Sequence, residues 1–340
     1  MWDENKVRIK DIAEELGVST ATVSNVLHGK TKKISEKTIK LVEKKLEERG
    51  YIPNMAATLL ARNNSRIIGV VINNHPKYEG HVFEDLFISA AINYLSDEIE
   101  KNGYFMMLRK ATEIKGIIEF ASMWNMDGVV LVGFCEDEYQ DLRDKIRIPF
   151  VVYDGFLEEQ SRFGNITIDD FDGGKQAGEY LKKNGHKKVL CIADNKICMD
   201  LQRYLGLCEG LKKEADFMQI PIHAKERELF YQKNLAELKK YTAIFAVSDF
   251  YALELMRFLQ KENIDVPSEI SIVGFDGTKD ADNSIPRLTT IKQDNSLRAQ
   301  KSISLLIDII NGRDDENNIC IPVKLIEGES VKKIKKAIRR

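Results

Sequence analysis

The stretch Ile9–Lys30, IKDIAEELGVSTATVSNVLHGK, decides how the rest of the chain is read. Ile12, Ala13 and Leu16 recur at helical spacing and stop at Gly17, a residue free to take the left-handed conformation that closes a helix. Ser19 stands where an N-cap is wanted, and Val23, Val26 and Leu27 form the inner stripe of a second short helix. Two helices joined by so short a glycine turn must cross steeply, which is the helix-turn-helix arrangement. A third helix is expected from Ser35 to Gly50, with Ile39, Val42 and Leu46 closing the small core.

That packing leaves the front of the second helix outside. Thr20, Ala21 and Asn25 can reach base edges, since an asparagine amide matches adenine N6 and N7 and an alanine methyl matches the thymine methyl. The hydroxyls of Thr22 and Ser24 can reach phosphates, and Lys30, followed by Lys32 and Lys33, fits phosphate contact better than base reading. Residues 1–62 carry twelve Lys or Arg against nine Asp or Glu, so a basic head sits on a body that accounts for the net charge of −2. A polyanionic partner is therefore expected for the head alone.

The 340 residues are 43% hydrophobic and 31% charged, enough for two or three globular domains. The longest apolar runs, such as GVVLVGF, fall far short of the roughly 18 residues of a membrane span. The opening MWDENKVRIKD is acidic where a signal peptide is basic and has no apolar segment behind it, so a cytoplasmic location is expected. Cys135, Cys191, Cys198, Cys208 and Cys320 show no C-x-x-C pairing and are expected to be reduced core thiols, with neither a metal site nor any other cofactor suggested.

After Pro53, NMAATLLA (54–61) is a good helix sequence that is too short to persist alone in water, where roughly 12–15 residues are marginal. It is expected to coil only against a partner. From Ser65 onward short apolar strands alternate with amphipathic helices. RIIGVVI, YFMML, GVVLVGF and PFVVYD form one set, with a helix bearing Leu86, Ala90 and Tyr94 on one side; NITID, KVLCIA, AIFAVSD and ISIVGFD form a second. The fold class is therefore α/β, with two doubly wound lobes of parallel sheet and a cleft between them. Ligands of such sheets sit beyond the carboxyl ends of the strands, which singles out Asn73, Asp154, Asp249 and Asp276 as partners for hydroxyl groups. Tyr78 is a candidate for stacking on a ring, and His186 in GHKKV is read as a structural turn residue.

The run Val7–Ile72 resembles the head and hinge of the lactose-repressor (LacI/GalR) family of bacterial transcription regulators. The resemblance is carried by DIAEELGVSTATVSNVL, ISEKT, GYIPN and the glycine of IIGVV, and extends through GHKKV, TAIFAVSD and SEISIVGFDG. It implies a helix-turn-helix head at 1–53, a hinge helix and linker at 54–64, and a two-lobed, periplasmic-binding-protein-like core at 65–340 with crossings near 155–165, 285–295 and 320–325. It implies a homodimer on double-stranded operator DNA whose paired hinges enter the minor groove, with Asn54 and Ala57 against the groove and Leu60 as the wedge that unstacks a base step. Arg203 falls where similar proteins place an effector-binding arginine. Two departures stand out. Asn25 replaces the arginine most members carry, which moves the expected preference at that base pair from guanine to adenine, and Gly328 stands where an arginine is usual.

No phosphate-loop, dinucleotide, zinc-hydrolase or nucleophile-elbow motif occurs, and DGGKQAG (172–178) lacks the spacing of the first, so an enzyme is not expected. A transport-type solute-binding protein would share the lobes but have no use for residues 1–62. The expected function is a DNA-binding regulator, by family default a repressor, controlled by a small molecule in the cleft. A carbohydrate is the first expectation; a purine-like or phosphorylated ligand, or a protein corepressor, are the alternatives. The tail spaces Val331, Ile334 and Ile338 helically but is too short for a tetramerising coiled coil.

Overall fold

A computed structural model describes residues 7–52, 65–134, 142, 145–153, 164–313 and 318–334. Two compact units emerge, residues 1–65 and 66–340.

In the first unit α1 (Ile9–Leu16), α2 (Thr20–Leu27) and α3 (Glu36–Glu48) enclose Ile12, Ala13, Val23, Val26 and Val42, with Leu16, Leu27, Ile39 and Leu46 half-buried around them. Each boundary has a local cause. The Asp11 carboxylate accepts from the Arg8 amide, the Ser19 hydroxyl from the Thr22 amide and the Ser35 hydroxyl from the Thr38 amide, satisfying orphan donors at three N-termini. Gly17 at φ +64° ends α1, where its amide and that of Val18 bond back to the last turn. Glu15 on α1 meets Lys45 on α3 and Arg49 at its C-cap, at 3.6 and 3.2 Å.

The second unit holds two sheets. In the first, the order is β2 (Phe105–Ala111), β1 (Ile67–Asn73), β3 (Gly128–Val132), β4 (Phe150–Tyr153), β5 (Gly164–Ile168) and β11 (Asn318–Ile321), all parallel. In the second, it is β7 (Asp216–Gln219), β6 (Val189–Ala193), β8 (Ala243–Ala246), β9 (Ser271–Asp276), β10 (Thr289–Lys292) and β12 (Lys324–Ile326), parallel except for β12. Continuous apolar runs such as IIGVVIN are buried along their whole length because helices cover both faces of a central parallel strand. Among those helices are α4 (Leu86–Lys101), α5 (Ile114–Met123), α6 (Asp170–Lys183), α7 (Cys198–Leu211), α8 (Ala224–Leu238), α9 (Asp249–Lys261), α10 (Lys279–Asn283) and α11 (Asn295–Ile310).

Several expectations change. NITID does not open the second sheet: Val151 and Val152 pair with Gly164 and Asn165, so it is the fifth strand of the first, and the chain passes to the other lobe only at α6, beyond 155–165. It crosses again between β10 and α11 and between β11 and β12. The inward face of α4 is Ile88, Ala91, Leu95 and Ile99, whereas Leu86 and Tyr94 are exposed; the apolar residues on this helix exceed one stripe, so spacing alone misassigned the buried face. Residues 331–334 are not helical, and Ile338 lies outside the described residues. Of the described cysteines, all free, only Cys191 is a core thiol; Cys198 and Cys208 are half-buried, Cys320 is exposed, and Cys135 lies outside the described residues. At position 328 any Cβ would lie 2.4 Å from the Arg287 carbonyl oxygen, so the arginine usual there has no room.

Helices α6 and α7 approach unusually closely. Gly174 and Gly178 face Gly206 and Gly210, and a Cβ built on any of them would fall 1.9–2.4 Å from a backbone oxygen of the opposite helix. The glycines bring the start of α6 and the middle of α7 together, and that juxtaposition positions Arg203.

Candidate functional site

Thr20, Ala21 and Asn25 are exposed on α2, whereas Thr22 and Ser24 are half-buried. The Thr22 hydroxyl lies 2.9 Å from the Ser19 hydroxyl, part of the cap, so its reach toward a phosphate is set by that pairing. The Lys30 amide donates to the Asn25 carbonyl at 2.8 Å, which folds the basic loop of Lys30, Lys32 and Lys33 back beside the C-terminal end of α2 with all three side chains exposed. Asn54, Ala57 and Leu60 lie outside the described residues.

In the second unit the cleft between the sheets opens at the carboxyl ends of β1, β6 and β9. Its inner chamber holds about 140 Å³ and brings together Asn73, Tyr78, Arg203 and Asp276. Asn73 ends β1 and donates its amide to the Gly133 carbonyl at 2.9 Å. Tyr78 lies in a short 3₁₀ turn, Pro76–Tyr78, with the Lys77 ammonium 4.9 Å from its ring centre. Arg203 donates to the Asp170 carboxylate and to the Val247 carbonyl, both at 2.7 Å, and its guanidinium lies 3.8 Å from the Phe275 ring centre. Its charge is thus matched by a buried carboxylate before any ligand arrives. Asp276 accepts from the Gln293 amide at 2.8 Å and holds a backbone φ of +124°, a strained value for a residue with a side chain. Burial pushes its carboxyl well above the usual range, against the pull of Arg203.

One of the sequence candidates is not part of this wall. Asp249 is fully buried with both oxygens engaged by Thr290 and Thr278, so it clasps β10 and the start of α10 rather than lining the chamber. Asp154 lies outside the described residues. His186 is structural: its ring nitrogens lie 3.1 Å from the Thr242 hydroxyl and 3.0 Å from the Lys332 carbonyl, and burial lowers its pKa.

Sequence reasoning missed Asp194, Asp200 and Lys77, all in the chamber wall. Asp194 was within reach, because it directly follows β6 just as Asp276 ends β9. Asp200 sits in the first turn of α7, and only the packing of that helix aims it inward. Burial raises Asp200 to about 6, assisted by Asp194 and opposed by Arg203. Burial works against the Lys77 ammonium, but Tyr78, Tyr251, Asp194 and Asp85 outweigh it and its pKa is raised. Four carboxylates, Asp85, Asp194, Asp200 and Asp276, therefore face Lys77 and an arginine already neutralised by Asp170.

Comparison with known proteins fits both halves. Residues 8–54 match the model of the bacterial regulatory proteins of the lacI family, and residues 179–331 match a periplasmic binding protein-like domain. The sucrose operon repressor of Streptococcus mutans is 30% identical over 95% of this chain and 99% of its own length. The chain belongs to the LacI family. This LacI-family chain is accordingly a DNA-binding transcriptional regulator, from a family of regulators rather than enzymes. The repressor PurR of Vibrio parahaemolyticus is 28% identical over 92% of the chain and 94% of its own. In fold, the chain is similar to the lac repressor dimer bound to operator and an anti-inducer, with a TM-score of 0.83 and 24% identity, covering 96% of this chain and 99% of that one. Among the described residues no helix is long and apolar enough to cross a membrane.

Proposed function

We propose that this LacI-family protein is a homodimeric repressor that grips a pseudo-palindromic operator with its two α2 helices in successive major grooves, under the control of a neutral carbohydrate in the interlobe cleft. The observation that carries the reading is one chain holding both an exposed Thr20–Ala21–Asn25 reading face and a cleft in which carboxylates outnumber available cations beside aromatic side chains. Carboxylates and amides bond sugar hydroxyls, and aromatic rings cover the apolar faces of sugar rings. Asp85 and Asp194, set against the ammonium of Lys77, also disfavour a phosphorylated or otherwise anionic ligand. Two heads spaced by one helical turn, about 34–36 Å, match a two-fold symmetric site.

Homodimerisation is supported by the end of the first sheet. Strand β2 is its outer strand, with Phe105 and Leu108 exposed, and the neighbouring α4 exposes Tyr94; an apolar edge of this kind needs cover. In the dimer, Asn54 and Ala57 pack into the minor groove and Leu60 wedges a base step; Thr20, Ala21 and Asn25 read bases, with Asn25 selecting adenine; and Thr22, Ser24 and Lys30 meet phosphates. Fluorescence anisotropy with duplexes selected from a random pool tests this: two-fold symmetric sites recovered at nanomolar affinity are expected, and recovery of asymmetric half-sites bound by monomer would overturn it.

A further inference from the structure

The inner chamber is not the whole cleft. A second space of about 410 Å³ adjoins it at the mouth, bounded by Glu84, Leu86 and Glu79 of the first lobe and Ala224, Leu253 and Arg257 of the second. Lys77, Tyr78, Asp85, Phe87, Phe250 and Asp276 line both spaces, so the two are one continuous groove with a shared throat. Sites that enclose a whole small-molecule ligand run to about 300–1,000 Å³; the inner chamber alone falls below that range, and the outer one lies within it.

The two spaces differ in what they offer a ligand. The inner wall is polar, with Asn73, Asp194, Asp200 and Arg203, of which Asn73, Asp194 and Arg203 also make hydrogen bonds within the protein. In the outer space several polar groups are engaged within the protein: both Glu254 oxygens hold Arg227, at 2.7 and 2.8 Å; Glu79 accepts from the Ala224 amide at 3.0 Å; and Glu84 lies 3.0 Å from the His81 ring, while Arg257 and Asp280 stand exposed at the rim. Beside them the wall carries apolar surface from Leu86, Phe87, Phe250 and Leu253. The throat combines both characters, with Tyr78 and Phe87 contributed by one lobe, Phe250 by the other, and Asp85 and Asp276 among them.

We propose that the effector is a neutral disaccharide, one ring held by hydrogen bonds in the inner chamber and the second seated by shape and apolar contact in the outer chamber. This rests on the carbohydrate reading above and narrows it by size. The Glu79 to Ala224 bond joins the lobes along the wall of the outer chamber, so the second ring sits against a contact that bridges the lobes, and neither residue lines the inner chamber.

Isothermal titration of the full-length protein with four neutral disaccharides (sucrose, maltose, cellobiose, lactose) and four monosaccharides (glucose, fructose, galactose, ribose) tests the assignment. At least one disaccharide is expected to bind tenfold or more tightly than every monosaccharide. Glu84→Trp and, from the other lobe, Arg257→Trp fill the outer chamber at exposed positions where folding is not at stake. Each is expected to weaken the disaccharide at least tenfold and to leave monosaccharide binding within threefold. A monosaccharide that binds as tightly as the best disaccharide, or disaccharide binding untouched by both substitutions, overturns the two-ring assignment and leaves the carbohydrate reading standing. Failure of all eight sugars to bind overturns both.

Discussion

Substituting Gly206 on α7 by alanine tests how Arg203 is held in place. A Cβ there would lie 1.9 Å from the Phe171 carbonyl oxygen and 2.8 Å from the Lys175 amide nitrogen, both backbone atoms of α6, so no side-chain rotation relieves the clash. The helices must part by roughly 1.5 Å to restore ordinary contact, and small-to-large insertions into packed interiors cost about 1–3 kcal/mol where side chains can give way. Here backbone must move on both sides, while alanine regains about 1 kcal/mol of helix propensity over glycine. The expected net loss is about 2–4 kcal/mol, read as a lower urea midpoint by circular dichroism. Because Asp170 begins α6 and Arg203 lies on α7, the same movement lengthens their 2.7 Å contact and is expected to weaken sugar binding in parallel. Gly116→Ala on α5 is the control, since the nearest foreign atom to its Cβ would be a guanidinium nitrogen of Arg109 on β2, 3.6 Å away; it is expected to be neutral or to stabilise by up to about 1 kcal/mol. A Gly206→Ala protein within 0.5 kcal/mol of the parent on this roughly 1–3 kcal/mol scale, or a Gly116→Ala protein equally damaged, would refute the reasoning.

Other perturbations have equally definite outcomes. Arg203→Met leaves Asp170 buried without its cation and is expected to cost about 3–5 kcal/mol in denaturant unfolding, most of it recovered in the double variant with Asp170→Asn. Asp200 has its folded pKa raised to about 6, so the ionised carboxylate opposes folding at neutral pH, and that penalty fades as pH falls from about 6 toward the ordinary carboxylate range. Asp200→Asn is therefore expected to raise the melting temperature at pH 7 and to lose that advantage near pH 4; an advantage that grows on acidification would contradict the assignment. Asn25→Ala is expected to erase adenine preference at one symmetric pair of operator positions, a discrimination of about 1–3 kcal/mol, while leaving the other positions unchanged in a selection experiment.

The sequence was most informative where structure is local. Gly17, Ser19 and Ser35 punctuate the head through caps and turns a few residues long, and the helices begin and end where those residues stand. The strands of the lobes were visible as apolar runs, but which sheet each joins depends on pairing across long separations: nothing within NITID reveals that its neighbour is Val151. Edge strands such as DFMQ and NICI, exposed on one side and short, lacked the signal that marked the buried ones. The cleft is legible to the extent that strand ends predict it: Asn73 and Asp276 end their strands, and Asp194, which follows β6, obeys the same rule. Asp249 met the same rule yet turns away, because Thr278 and Thr290 claim its oxygens. Asp200 and the latch from Glu79 to Ala224 depend on how whole elements pack and could not be read from spacing.

In the proposed function, occupancy of the cleft sets the grip of the heads on DNA. The direct measurement is operator affinity of the full-length protein by fluorescence anisotropy, with and without a saturating disaccharide, for the parent and for Asp276→Ala. A change of at least fivefold in operator Kd on adding sugar is expected, corresponding to a coupling of about 1 kcal/mol or more, with the change abolished in Asp276→Ala while its sugar-free affinity is retained. An operator Kd that stays the same while calorimetry shows the cleft filled would contradict the account.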